Sequence, residues 1–226
     1  MRHRMRIRSF LPAALMGLAA LVSGCSNSDA KSPTLLAGAQ LAALVRPAPR
    51  APDARQILTP DRLTGGSSVL LVVQEEGDNA FTVSPIAANL GTVQWRGAGG
   101  VGIAQRGGVL VGTRGFGFDL ITADIEPLSR ALVNGGGRNL LRVNRILVAG
   151  RMVALEYRCD VVPRGGETLS YYGRSFPTSV FDETCTGAEG DAFTNRYWVS
   201  PGGAVRRSRE RVSPEVGTFD IVRLTE

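Results

Sequence analysis

The chain has 226 residues and a formal net charge of +6, from 26 basic and 20 acidic residues. Four of the 26 are Arg2, Arg4, Arg6 and Arg8, which leaves 22 beyond them against the 20 acidic residues and removes the charge argument for nucleic-acid binding. The only histidine, His3, lies in that same stretch, so the remainder has no imidazole for a catalytic dyad, a proton shuttle or a zinc site.

In chain order, the basic head is followed by an apolar run over residues 10–22 and by Val22-Ser23-Gly24-Cys25. A basic head, a short apolar core and small residues at the cut make an export signal, and the run is too short to span a bilayer comfortably. The cysteine directly after Ser23-Gly24 resembles a bacterial lipobox. The resemblance implies acylation of the Cys25 thiol, and Ser26 in place of an aspartate implies sorting to the outer membrane. The expected organisation is a signal peptide over 1–24, a lipidated tether over 25–33 and a single mainly-β domain over 34–226.

Residues 34–45 carry a broad apolar side with Pro33 ahead of it, which predicts a helix. The proline-rich stretch 46–64 reads as a winding connection. Strands are predicted over 68–73 and 80–86, at Val93 and Trp95, at Val101 and Ile103, and over 109–111, each set off by a glycine-rich turn. These connections are too short for helical crossovers, so pairing is antiparallel. Residues 124–133 predict one short helix, with Asp124 as cap and Pro127 in its first turn. Residues 141–148 and 151–161 give a hairpin at Ala149-Gly150, in which Val153, Leu155, Tyr157 and Cys159 alternate toward the core. Strands over 169–176 and 178–185, broken at Pro177, precede a hairpin over 193–199 and 204–212 and a last strand over 217–224. The fold class is all-β: antiparallel sheets of about ten strands, as a sandwich or an open-barrel-like meander, with one or two small helices.

Beyond Cys25 the cysteines are Cys159 and Cys185, an even pair in an oxidising compartment. A disulfide between them is expected, two free buried thiols being the alternative. The glycine-rich segment from Thr113 to Ile121 lacks both nucleotide-loop spacings and predicts a tight corner in a sheet. No calcium-loop spacing occurs either, so no metal or other cofactor is expected. Asp119, Asp124 and Glu126 cluster in sequence, but a helix cap and a first-turn charge account for the latter two. No catalytic residue is assigned and no enzyme is expected.

Several segments together resemble the YjbF family of lipoproteins, the group 4 capsule polysaccharide lipoprotein family. They are Thr113–Ile125, with Gly115, Gly117, Asp119 and Leu120; Leu155–Phe176; and Cys185–Leu224, with Asn195, Tyr197, Trp198, Arg207, Arg211 and Ser213-Pro214. The resemblance implies an outer-membrane-anchored periplasmic accessory of capsule or exopolysaccharide production, working with an outer-membrane β-barrel. It implies no established enzyme.

For contact with an acidic polysaccharide the chain offers Trp95, Tyr171, Tyr172, Tyr197 and Trp198 as aromatic faces. Arg174, Arg196, Arg207, Arg209 and Arg211 lie near several of them in sequence. Period two puts Arg207, Arg209 and Arg211 on one strand face with Val205, and Glu210 on the other. Three unneutralised arginines are costly to bury, so their face should be solvated or covered by an acidic partner. Arg207, Arg209, Arg211, Tyr197 and Trp198 are the candidate partner or polysaccharide surface. The alternative function is a protein-interaction module for an outer-membrane β-barrel without glycan contact, and a glycan-modifying enzyme using carboxylates ranks below both.

Overall fold

The structure, a computed structural model, describes residues 52–63 and 68–225, all within one compact unit over Ala51–Glu226. The expected signal, Cys25, the tether and the helix over 34–45 lie outside the described residues. A short helix α1 (Ala54–Ile57) is capped by Asp53, whose carboxylate accepts the Arg55 N–H, and a 3-10 turn follows at Pro60–Leu63. Among the described residues no helix is long and apolar enough to cross a membrane.

Twelve strands follow: β1 (Leu70–Gln74), β2 (Asn79–Asn89), β3 (Thr92–Gly97), β4 (Gly102–Arg106), β5 (Val109–Arg114), β6 (Leu120–Asp124), β7 (Gly137–Val148), β8 (Arg151–Tyr171), β9 (Arg174–Gly187), β10 (Ala192–Val199), β11 (Val205–Ser213) and β12 (Gly217–Arg223). The second helix, α2 (Glu126–Asn134), lies between β6 and β7. All strands join one antiparallel sheet in the order β5-β4-β3-β2-β1-β12-β11-β10-β9-β8-β7-β6. Every neighbouring pair is consecutive in the chain except β1 and β12, so the sheet is an up-and-down meander tied together by its first and last strands.

The two edges, β5 and β6, are also consecutive, and they come back beside each other. The Thr113 hydroxyl accepts the Leu120 N–H at 2.9 Å, and a Cβ added to Gly112 would stand 3.5 Å from the carbonyl oxygens of Leu120 and Ile121. The sheet is therefore curled into a nearly closed barrel, which leaves little free edge for unwanted pairing. The glycine-rich segment fastens this seam. Gly115 and Gly117 take φ of 92° and 90°, a region that penalises a Cβ. Between them Phe116 packs edge-on to Phe219 at 4.9 Å. The Asp119 carboxylate accepts the Thr113 hydroxyl at 2.8 Å and the N–H groups of Gly115 and Phe116.

The apolar core runs through Leu70, Val72, Val83, Trp95, Ile103, Leu110, Leu120, Phe181, Tyr197, Val212, Phe219 and Ile221, with Leu128, Ala131 and Leu132 of α2 packed into it. Across the interior β5 touches β11, where the Leu110 N–H reaches the Glu210 carboxylate at 2.9 Å. The barrel is thus flattened and filled by side chains. Cys159 and Cys185 face each other across β8 and β9 and are joined by a disulfide, Cα to Cα 4.1 Å.

Three expectations about local structure change. The break between the two strands after residue 161 falls at Tyr172-Gly173, both at positive φ, and not at Pro177. β10 ends opposite Ser179, so Pro177 sits where β8 is the only neighbour of β9, an edge position that tolerates a missing N–H. Asp124 ends β6 instead of being the cap residue of α2, and its carboxylate accepts the Glu126 N–H from one position further out. Val205 is buried in the core and does not share the arginine face, because the pairing of β10 with β11 shifts register between Trp198 and Val199.

Candidate functional site: two faces of one sheet region

The strands β9, β10 and β11 carry charge on both faces. The Asn-x-Tyr-Trp stretch shows why: Asn195 and Tyr197 point into the barrel, and Arg196 and Trp198 point out, by simple alternation.

Inside, Arg142 of β7, only 2% exposed, donates from Nη1 to Glu183 Oε2 at 2.9 Å and from Nε to Asn144 Oδ1 at 3.1 Å. Glu183 Oε2 also accepts from Asn195 Nδ2 at 2.7 Å and from the Tyr197 hydroxyl at 2.9 Å. That hydroxyl lies 3.2 Å from Glu210 Oε2, and the other Glu210 oxygen holds the Leu110 N–H. Two carboxylates therefore meet one guanidinium in a water-excluded space. A hydroxyl has one proton, so when Tyr197 donates to Glu183, a close approach by Glu210 requires Glu210 to carry a proton itself. The electrostatics agree: burial pushes the Glu210 carboxyl up to about 7 even with Arg142 nearby. Burial works against the Arg142 charge but is outweighed by Glu183, Tyr197 and Glu210, and the guanidinium is held protonated. Burial and the two carboxylates raise the Tyr197 phenol well above its ordinary value. Glu183 also lies close to the sulfurs of Cys159 and Cys185, but those are bonded to each other and are not thiolate ligands for a metal.

Outside, Arg207, Arg209 and Arg211 share one face as the alternation requires, and Glu210 faces inward. Arg207 makes a two-pronged pair with Asp220, Nε to Oδ1 at 2.8 Å, and its guanidinium carbon sits 4.5 Å from the Trp198 ring centroid. Arg209 pairs with both oxygens of Glu75. Arg211 reaches the Pro214 carbonyl at 3.4 Å and has no carboxylate partner among the described residues. Next to them Asp182 takes Arg196 at 2.6 Å and Arg164 at 2.8 Å, and these two hold its carboxyl below the usual range. The expected basic stripe is thus largely neutralised by the protein's own carboxylates.

The aromatic part of the candidate surface divides. Tyr197 is 0% exposed and belongs to the interior, so it offers nothing to a surface ligand. Its neighbour Trp198 is outward but 5% exposed: Arg207 covers its ring and its Nε1 donates to Glu167 Oε2 at 2.8 Å. Arg206 similarly lies 4.0 Å over Phe176. Asp119, Asp124 and Glu126 are not assembled into a cleft; Asp119 fastens the seam, and Glu126 stands 3.7 Å from Arg130 one turn along α2. Nothing in the sequence singled out Arg142 or Glu183. The usable signal was an inward-facing glutamate two residues before Cys185 in a strand of otherwise apolar or small inward residues.

The family model described as group 4 capsule polysaccharide lipoprotein gfcB, YjbF matches residues 41–224. The crystal structure of the hypothetical lipoprotein YmcC from Escherichia coli (K12) is similar in fold, with a TM-score of 0.67 and 19% identity over 75% of this chain and 89% of that one. No curated protein matches the chain.

Proposed function

Because the chain belongs to the YjbF family of group 4 capsule polysaccharide lipoproteins, we propose that it is a non-catalytic accessory of capsule or exopolysaccharide production. In this reading Cys25 carries the lipid that holds it to the periplasmic face of the outer membrane, and the outer face of β9–β12 contacts acidic polysaccharide. The observation that supports contact over chemistry is the placement of its carboxylates. The pair joined through one hydroxyl, Glu183 and Glu210, is 1% and 0% exposed and engaged with Arg142. Glycoside hydrolysis needs two carboxyl groups flanking a bound sugar bond. The outward carboxylates Asp182, Asp220 and Glu75 are tied to arginines.

That same internal neutralisation favours a second reading, an interaction module for an outer-membrane β-barrel without glycan contact. Affinity electrophoresis in gels cast with the producing strain's own polymer separates the two. Retardation that salt abolishes supports glycan contact, and unretarded migration leaves the barrel-partner reading. The anchor is tested by palmitate labelling: Cys25→Ser should lose the label, since stable anchoring needs acyl chains that serine cannot receive by this route. Equal labelling of both proteins would overturn it.

A further inference from the structure

Where the Gly107-Gly108 turn between β4 and β5 meets the start of β11, the barrel end holds a cavity of about 180 Å³ lined by Trp95, Gln105, Gly108, Val205 and Arg223, among others. Two residues of its lining bear on what it can hold. Trp95 lines the cavity at 3% exposure, and its indole N–H, which has no hydrogen-bond partner among the described residues, is packed too deeply for a water-sized oxygen to reach, so the residue offers the cavity ring surface. Arg223 has no carboxylate partner among the described residues, unlike Arg207 and Arg209 one strand away. It lies 5.8 Å from the Trp95 ring centroid. Burial, and then the neighbouring Arg206, lower its pKa, and no carboxylate among the described residues balances its charge. The turn is also held tightly: a Cβ on Gly108 would meet the Val205 carbonyl oxygen at 2.5 Å, and the Val205 N–H donates to the Gly107 carbonyl at 3.2 Å. The cavity is walled by fixed backbone.

We propose that this cavity is a binding site for a single acidic sugar residue, a hexuronate, whose carboxylate pairs with Arg223 while its ring lies against the Trp95 indole. A guanidinium recognises a carboxylate by charge-assisted hydrogen bonds. The indole and valine walls suit the C–H faces of a sugar ring. A volume below the roughly 300–1,000 Å³ of drug-sized pockets limits the occupant to one ring, either the end of a polymer or one residue of it. The site rests on the reading that the protein contacts acidic polysaccharide, and gives that contact a place distinct from the stripe on β11.

The chain has two tryptophans, so the full-length lipoprotein in detergent micelles, labelled with ¹⁵N at tryptophan, gives two indole signals. Trp198→Phe assigns them. Glucuronate should shift the Trp95 signal of the wild-type protein saturably, with glucose and acetate each at least about tenfold weaker, and Arg223→Gln should weaken glucuronate at least about tenfold. Arg223→Lys, which keeps the charge but loses the fork, should fall between the two. An unmoved Trp95 signal, an equal response to glucose or acetate, or full binding by Arg223→Gln would overturn the site. Polymer affinity electrophoresis keeps the two readings apart. If Arg223→Gln is retarded like wild type, the cavity is not the contact although the protein binds polymer. If wild type is not retarded while glucuronate still shifts Trp95, the polymer reading fails and the sugar site stands.

Discussion

The inner and outer faces of β9–β11 use the same chemistry, arginine against carboxylate, to opposite effect. Inside, Arg142, Glu183 and Glu210 are 0–2% exposed, and their hydrogen bonds hold β5, β7, β9, β10 and β11 in one network. Outside, the Arg196–Asp182, Arg207–Asp220 and Arg209–Glu75 pairs stand in contact with water, with arginine side chains 28–45% exposed. In water a broken pair is rehydrated at little cost, whereas in the interior the surviving partner is stranded. The inner charges therefore specify the barrel, and the outer ones are free to exchange partners.

The largest stability effect should come from the inner face. Glu183→Gln leaves Arg142 without its closest counter-charge and should cost about 3–5 kcal/mol in urea unfolding. A loss under about 1 kcal/mol would remove the distinction between the faces. Next is the disulfide, which spans 26 residues and closes the same region of the sheet from the side of β8. Cys159→Ala with Cys185→Ala should lower stability by about 2–4 kcal/mol, measured by the same unfolding. A more diagnostic effect concerns pH. The folded Glu210 carboxyl is raised to about 7 from 4.5. Between those values the folded state holds a proton that the unfolded chain has released, so stability is highest below pH 4.5, falls as pH rises through this window, and levels off above it. Glu210→Gln mimics the protonated carboxyl and should remove this contribution, read as a flatter thermal midpoint across the window; an unchanged slope would assign the proton elsewhere. Smallest of all, Arg207, Arg209 and Arg211 exchanged together for glutamine should cost under about 1 kcal/mol per pair.

Much of the meander was legible because turn chemistry punctuates it. Ala149-Gly150 joins β7 to β8 where expected, and Tyr157 and Cys159 face inward as their alternation requires, but Val153, expected on the same side, is 39% exposed near the turn. The structure has twelve strands against the about ten expected: β6 (Leu120–Asp124) begins in the segment read as a tight corner and had no counterpart, whereas β8 runs on through Gly165-Gly166 where the sequence reads as a break between strands. Parity along β11 was readable and correct for Glu210, but the register shift opposite Val199 reversed Val205, and a bulge leaves no mark in a period-two pattern. Tyr197 and Trp198 show the deeper limit. Alternation says that they face opposite ways, not which of two aromatic side chains is the inner one. That choice depends on Arg142, which lies 55 residues away in sequence and donates toward the Tyr197 hydroxyl at 3.5 Å. The pairing of Arg207 with Asp220 and of Arg209 with Glu75 is equally non-local, the latter across 134 residues.

The division of labour between the faces is tested most directly by polymer secretion from cells in which the Arg207, Arg209 and Arg211 to glutamine variant replaces the wild-type protein at equal level. Its thermal unfolding is measured alongside. The outer face acting by contact predicts reduced secretion with the unfolding midpoint nearly unchanged. Wild-type secretion from a fully folded variant would contradict it and leave these arginines as a solvated, self-neutralised surface.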